Sequence, residues 1–281
     1  MNIAILIFSP KQSTYELGKQ IERTLKESHH QVHFYDTTKK KIIWQKRDYK
    51  SFFDTIEKHD LLFVGAPVYG YFNPQPFLNF LRYLPEPDTT WGQYTIPFVT
   101  YGGVTSGIAL YNMGKILQAT GRKNIYGMRI NTFHSLTREL KYKININRPG
   151  KEEDSVIEKC ISEINGMDNL QKCEDKTDKF QYQKNTIISN IAHTSFPEPE
   201  FTDLCKKCKR CEMVCPLNRI SIQEKGALIT EKAEPCIACF ECYYACKHNA
   251  VIMPKERINA FLETVATGKY VSKEILHSAL I

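Results

Sequence analysis

Eight of the ten cysteines in this 281-residue chain repeat one spacing. The first run is Cys205-x2-Cys208-x2-Cys211-x3-Cys215-Pro216, and the second is Cys236-x2-Cys239-x2-Cys242-x3-Cys246. Two residues between successive cysteines let a loop turn three sulfurs inward, and a fourth arrives from the other copy. That is how a pair of [4Fe–4S] clusters is held. The spacing gives Cys205, Cys208, Cys211 and Cys246 to one cluster, and Cys236, Cys239, Cys242 and Cys215 to the other. Zinc needs two cysteine pairs per ion and leaves the third cysteine of each run idle. A disulfide framework suits a secreted chain, and MNIAILIFSP lacks the basic start and cleavage site of a secretory signal.

The length suggests about two domains. No apolar run approaches the roughly 20 residues that span a bilayer, and exposed clusters and free thiols suit a reducing cytoplasm. Residues 1–150 hold 20 Lys+Arg against 11 Asp+Glu, while residues 151–281 hold 18 against 20. A basic first half can draw an acidic redox partner protein, or be no more than a solvated surface. Nucleic acid is not expected, since Lys39-Lys40-Lys41 is short and sits in no binding motif. Self-association is left open.

The first half reads as α/β, a doubly wound parallel sheet. Short apolar runs at 2–8, 61–66 and 96–101 suit strands buried on both faces, with weaker strands at 32–35 and 124–130. Helix-like stretches at 14–28, 50–59, 74–84 and 105–120 alternate with them, and a helix at 151–167 with an acidic first turn closes the unit. Ligands in such sheets bind beyond the carboxyl ends of the strands. Three loops fall there: Ser9-Pro10-Lys11-Gln12-Ser13-Thr14, Pro67-Val68-Tyr69-Gly70 and Tyr101-Gly102-Gly103. Hydroxyls and N–H groups at a helix start can hold a phosphate. Glycines allow close approach to a planar ring, and tyrosines can stack on it. Taken singly, each loop is equally an N-cap or a turn; their common edge makes them a candidate site. Without G-x-G-x-x-G after the first strand, a dinucleotide site is not supported.

The chain resembles the flavodoxin–ferredoxin fusion proteins of anaerobic bacteria and archaea, through FSPKQST at 8–14, GAPVYG at 65–70, TYGGVTSGIAL at 100–110 and both cysteine runs. The resemblance implies a flavodoxin-like domain that binds FMN, followed by a small α+β bacterial-type ferredoxin domain with two [4Fe–4S] clusters. The FMN contacts it implies are Ser9, Lys11, Ser13, Thr14, Pro67, Val68, Tyr69, Gly70, Tyr101, Gly102 and Gly103. The phosphate loop of that family resembles Ser-Pro-Thr-Gly-Thr-Thr. Here Lys11 and Gln12 depart from it, and Gln12 replaces the residue best suited to positive φ. Lys247 stands where a proline commonly follows the fourth cysteine.

The expected division is 1–167 flavodoxin-like, 168–200 a polar, Pro-containing connector over the surface, 201–255 ferredoxin and 256–281 a helical tail. The cysteine runs are offset by 31 residues, and CPLNRISI at 215–222 is echoed by CKHNAVIM at 246–253. Cys160 reads as a packing residue and Cys173 as an incidental thiol. Segment 131–150 is expected to be a surface loop, or else a cover whose His134 and Arg138 touch a substrate. The expected function is electron transfer between FMN and the clusters. Alternatives are an FMN-dependent reductase fed by the clusters, and a ferredoxin with a flavin-free docking domain.

Overall fold

A computed structural model of the chain describes residues 1–103, 105–139, 143–181, 198–230, 233–266 and 277–281; for 261, 262 and 264–266 it describes the backbone alone. The parallel strands of the first half are β1 (Asn2–Ile7), β2 (Gln31–Asp36), β3 (His59–Pro67), β4 (Trp91–Tyr101), the short β5 (Lys123–Asn124) and β6 (Met128–Asn131). They lie in the order β2-β1-β3-β4-β6, with β5 beside β4. This is the flavodoxin-type doubly wound arrangement, whose switch point falls between β1 and β3. Side chains alternate across the sheet. Ala4, Leu6, Leu62 and Val64 enter one core, and Ile3, Ile5, Leu61 and Phe63 the other. Burial on both faces explains the continuous apolar runs.

Helices α1 (Ser13–Glu27), α2 (Lys41–Trp44), α3 (Tyr49–Phe53), α4 (Gln75–Leu81), α5 (Ala109–Ala119) and α6 (Lys151–Asn165) cover the sheet. The expected helix at 50–59 ends at Phe53, because the chain must reach His59 to start β3. Gly65 has a packing reason: a Cβ there would lie 2.0 Å from the Phe98 ring on β4.

The connector differs from the surface path expected. Its first part belongs to the first domain. Phe180 is 3% exposed and seats its ring against Gly114 and Gly127. Asn124 donates from Nδ2 to Thr177 Oγ1 at 2.7 Å, and its main-chain N–H reaches Asp175 Oδ1 at 3.2 Å. The polar residues of 168–180 thus satisfy a buried amide beside β5. Residues 182–197 of the expected connector lie outside the described residues, and its last residue, Glu200, begins the next strand.

The second half contains β7 (Glu200–Phe201), α7 (Arg210–Val214), β8 (Ile220–Gln223), β9 (Gly226–Ile229), α8 (Glu241–Ala245), β10 (Val251–Ile252) and α9 (Lys255–Ala266). β7 pairs with β10 and β8 with β9, both antiparallel. The duplication is legible in the backbone. Left-handed residues occur at Lys207, Lys209 and Asn218, and again 31 positions on at Ala238, Phe240 and Asn249. Non-glycine residues adopt positive φ rarely. Six of them in register mark loops curled by a common requirement.

Of the expected helical tail, Lys255–Ala266 is described as helix. After 267–276, outside the described residues, β11 (Ala279–Leu280) pairs antiparallel with β6 and covers that edge of the main sheet. Ser278 fastens it, donating from its amide to Glu152 at 2.9 Å and from its hydroxyl to Glu153 at 2.7 Å. No described helix is long and apolar enough to cross a membrane.

Candidate functional site

The three sequence-predicted loops meet at the carboxyl ends of β1, β3 and β4 around a cavity of about 370 Å³. Ser9, Lys11, Ser13, Thr14, Pro67, Val68, Tyr69, Gly70, Tyr101 and Gly102 all line it. Gly103 does not; at φ 74 it turns the backbone where a Cβ would strike the Asn145 side chain.

The first loop is built as an anion cradle. Ser9 Oγ accepts the Tyr15 amide at 2.8 Å and so pins the loop to α1. Gln12 takes φ 69, the left-handed conformation that glycine adopts without strain, and provides no side-chain cap. The Ser13 and Thr14 N–H groups therefore stand at the cavity end of α1, at the positive end of the helix. The hydroxyls divide: Thr14 Oγ1 is already bonded to Thr100 Oγ1 at 2.7 Å, buried between loop and sheet. Lys11 turns away from the role of a free phosphate charge. Its ammonium sits 2.9 Å from Glu241 Oε1 and 4.2 Å from the centre of the Tyr244 ring. Burial lowers its pKa, and the Glu241 carboxylate resists that shift.

Two further segments close the cavity, one of them the cover that 131–150 left open as an alternative. Phe133, His134 and Leu136 form one wall, so part of 131–150 covers the site rather than forming a plain surface loop. Arg138 is exposed and lies over the Tyr244 ring at 5.3 Å, away from the cavity. Pro235, Cys236, Ile237 and Ala238 form another wall, from the second half of the chain. Apart from Lys11 Nζ, held by its ion pair, three buried polar atoms on cavity residues lack a hydrogen-bond partner among the described residues: Tyr69 Oη, Asn73 Oδ1 and His134 Nδ1. Orphaned buried groups are costly, and a ligand with donors and acceptors of its own would satisfy them. Burial pushes His134 down to about 4, so its ring is neutral near pH 7. Burial, with Cys239 and Glu241 close by, keeps the Tyr69 hydroxyl protonated.

The eight cysteines form two groups, with the crossed membership that their spacing predicts. Cys205, Cys208, Cys211 and Cys246 line one small cavity, and Cys215, Cys236, Cys239 and Cys242 another. Among the described residues no three such side chains converge tightly enough for a single ion. Thiols spread around a space suit a multinuclear group better than one tetrahedral zinc. Amides point at the sulfurs: Arg219 N–H to Cys215 Sγ at 3.4 Å, and 31 residues on, Ala250 N–H to Cys246 Sγ at 3.3 Å. Burial and the neighbouring thiols Cys236 and Cys215 push Cys239 up to about 12, and Cys242 is raised for the same reasons. Four thiolates facing one small, largely apolar space require bound positive charge to stay ionised. Cys160 is fully buried in the first domain; Cys173 is half-buried, 3.7 Å from Met167 Sδ.

The two halves share a core, in which Cys215, Leu217 and Cys242 join Phe8, Trp44 and Phe77. Polar seams reinforce it: the Lys39 amide donates to the Pro216 carbonyl at 2.9 Å, Arg47 pairs with Glu234 at 3.2 Å, and Tyr244 Oη reaches the Leu136 carbonyl at 3.2 Å. One thiol group therefore abuts the large cavity, through Cys236, while the cavity of the other shares no lining residue with it.

No known family model matches this chain. Over 90 residues, 32% of its length, it is 27% identical to the aliphatic sulfonate oxidoreductase polyferredoxin-like subunit of Pyrococcus furiosus, and it spans about half of that protein (47%). Among solved structures it is similar to the apo form of an NADH:FMN oxidoreductase, 17% identical with a TM-score of 0.45, covering 62% of this chain and 94% of that one. A flavodoxin from the domain Archaea is 15% identical with a TM-score of 0.39, covering 58% and 92%. The strand order of the first half and the duplicated cysteine loops of the second define the class: a flavodoxin-like domain fused to a ferredoxin-type domain.

Proposed function

We propose that the chain is an electron relay, with FMN in the large cavity and one [4Fe–4S] cluster in each cysteine group. One observation carries this reading. The loop Pro235–Ala238, which includes Cys236, is at once a wall of the large cavity and part of a thiol group. A centre held there is separated from the cavity by no intervening domain.

FMN exchanges two electrons and a cluster one, which is the chemistry these groups supply when bound. The protein supplies everything else. The Ser13 and Thr14 amides at the start of α1 hold the phosphate, while Ser9 and Thr100 keep the loop in place. Tyr69, Asn73 and neutral His134 offer hydrogen bonds to the polar edges of a flavin ring. The Phe133–Leu136 wall limits water at its face. The Arg219 and Ala250 amides offset charge on the cysteine sulfurs. Arg219 also pairs with Glu198 through two nitrogens, at 3.2 and 3.1 Å, and Glu198 accepts the Cys236 amide at 3.4 Å, which fixes the inner loop.

Anaerobically purified protein is expected to carry eight irons, eight sulfides and one FMN per chain. Cys211→Ala and Cys215→Ala each remove one cluster, and different ones. Two zinc ions without labile sulfide would defeat the cluster assignment. Bound FAD in place of FMN would defeat the reading of the phosphate loop.

A further inference from the structure

The duplicated cysteine loops have diverged in what they present. At matched positions 31 residues apart, Lys206 corresponds to Ile237, Lys207 to Ala238, Lys209 to Phe240, Arg210 to Glu241 and Met213 to Tyr244. The second copy of this surface is spent inside the molecule. Ile237 and Ala238 line the large cavity, Phe240 is 1% exposed, Glu241 pairs with Lys11, and Tyr244 bonds to the Leu136 carbonyl. The first copy meets nothing of the kind among the described residues. Lys206, Lys207, Cys208 and Lys209 are exposed, as is Lys247 beside Cys246. Three of the six exposed large apolar side chains among the described residues neighbour residues of this thiol group in sequence: Leu204 precedes Cys205, Met213 follows Cys211 in α7, and Ile252 follows Val251, at 53%, 63% and 47% exposure. Acidic side chains are fewer there: Asp203 and Glu212 in the same stretch, Glu200 across from Ile252, and Glu224, beside Lys225 in the β8–β9 turn that packs on Cys205.

An exposed apolar patch with a charged rim is the anatomy of a transient protein interface. We propose that the face around Cys205, Cys208 and Cys246 is the docking site for an acidic electron-carrier protein, through which electrons enter or leave the outer cluster. The inner loop already shows how such a surface docks, with a carboxylate from one side meeting a buried lysine of the other. The outer loop presents the opposite charge and calls for carboxylates on the partner. The proposal rests on the relay reading. It moves the expected attraction for an acidic partner from the basic first half to the tip of the second.

The test is anaerobic stopped-flow reduction of the full, cofactor-loaded protein by a prereduced acidic [2Fe–2S] ferredoxin, over a range of salt. The second-order rate is expected to fall steeply with salt, and about ten-fold at low salt in Lys206→Glu/Lys207→Glu/Lys209→Glu. Lys40→Glu/Lys41→Glu, in the basic first half, is expected to stay within about two-fold of the parent. A salt-independent rate, or equal losses in both variants, overturns the proposal. If the triple charge reversal loses iron, Lys206→Gln/Lys209→Gln gives the same comparison, with about a three-fold loss expected and an unchanged rate overturning the proposal. Dithionite, a small reductant that needs no docking site, separates the two levels of the account. If it reduces the clusters of the parent but never the flavin, the relay reading fails, whatever the salt dependence of docking.

Discussion

The Lys11–Glu241 pair is where the phosphate loop and the inner cysteine loop are tied, and its removal has a calculable signature. The ammonium side chain is 4% exposed, the carboxylate 23%, and the charges are 2.9 Å apart. At an effective dielectric of about 20, such charges attract by roughly 6 kcal/mol, and desolvating both offsets several kcal/mol of that. The net value of the pair is therefore small, yet breaking it is expensive, because one charge is left dry. Glu241→Gln strands the more buried partner and is expected to cost about 3 kcal/mol. Lys11→Met strands the better solvated carboxylate and is expected to cost about 2 kcal/mol. Lys11→Met/Glu241→Gln strands neither charge, and is expected to cost about 1–2 kcal/mol in total. At roughly 2–4 °C per kcal/mol for a chain of this size, the first variant melts about 6–12 °C below the parent. Anaerobic thermal unfolding of the loaded protein, followed by the fluorescence of released flavin, reads all four corners of the cycle. Additive costs in the double variant would refute the coupling, and with it the account of how the halves are joined.

Two further changes probe separate parts of the structure. Phe180→Ala opens a cavity between Gly114 and Gly127 and is expected to cost about 3–4 kcal/mol by thermal unfolding, whereas a surface connector would lose almost nothing. His134 has a folded pKa of about 4, below its unfolded value, so the unfolded chain binds the extra proton between about pH 6.5 and pH 4. Its contribution is complete above that window and is lost as the pH falls through it. His134→Gln is expected to flatten the acid limb of flavin retention by about 2 kcal/mol, and an unchanged limb would remove His134 from the cavity wall.

The parts legible in sequence were those whose cause is local. Runs such as NIAILI declare strands buried on both faces, because nothing polar interrupts them. The cysteine spacing predicts crossed groups, since two residues between sulfurs leave a short loop few ways to curl. Gln12 stands where the related loops favour positive φ, and it takes that conformation. What escaped depends on distant partners. Asp175 and Thr177 look like surface residues until Asn124, about 50 positions earlier, supplies the buried amide they satisfy. A strand of two residues at 279–280 carries no periodicity to detect, and its reason is the open edge of β6. The cavity wall at 235–238 exists only once the halves are packed together. Lys11, an expected FMN contact, carries no local sign of Glu241, its partner in the structure.

The central claim, that both halves form one electron path, is tested most directly by the rate at which the flavin follows the clusters. Anaerobic protein is mixed with a substoichiometric low-potential reductant, and flavin and cluster absorbance are followed at several protein concentrations. A relay gives flavin reduction as a first-order phase whose rate constant is the same at every concentration. A rate that rises in proportion to concentration would mean that electrons pass between molecules, and would contradict the account.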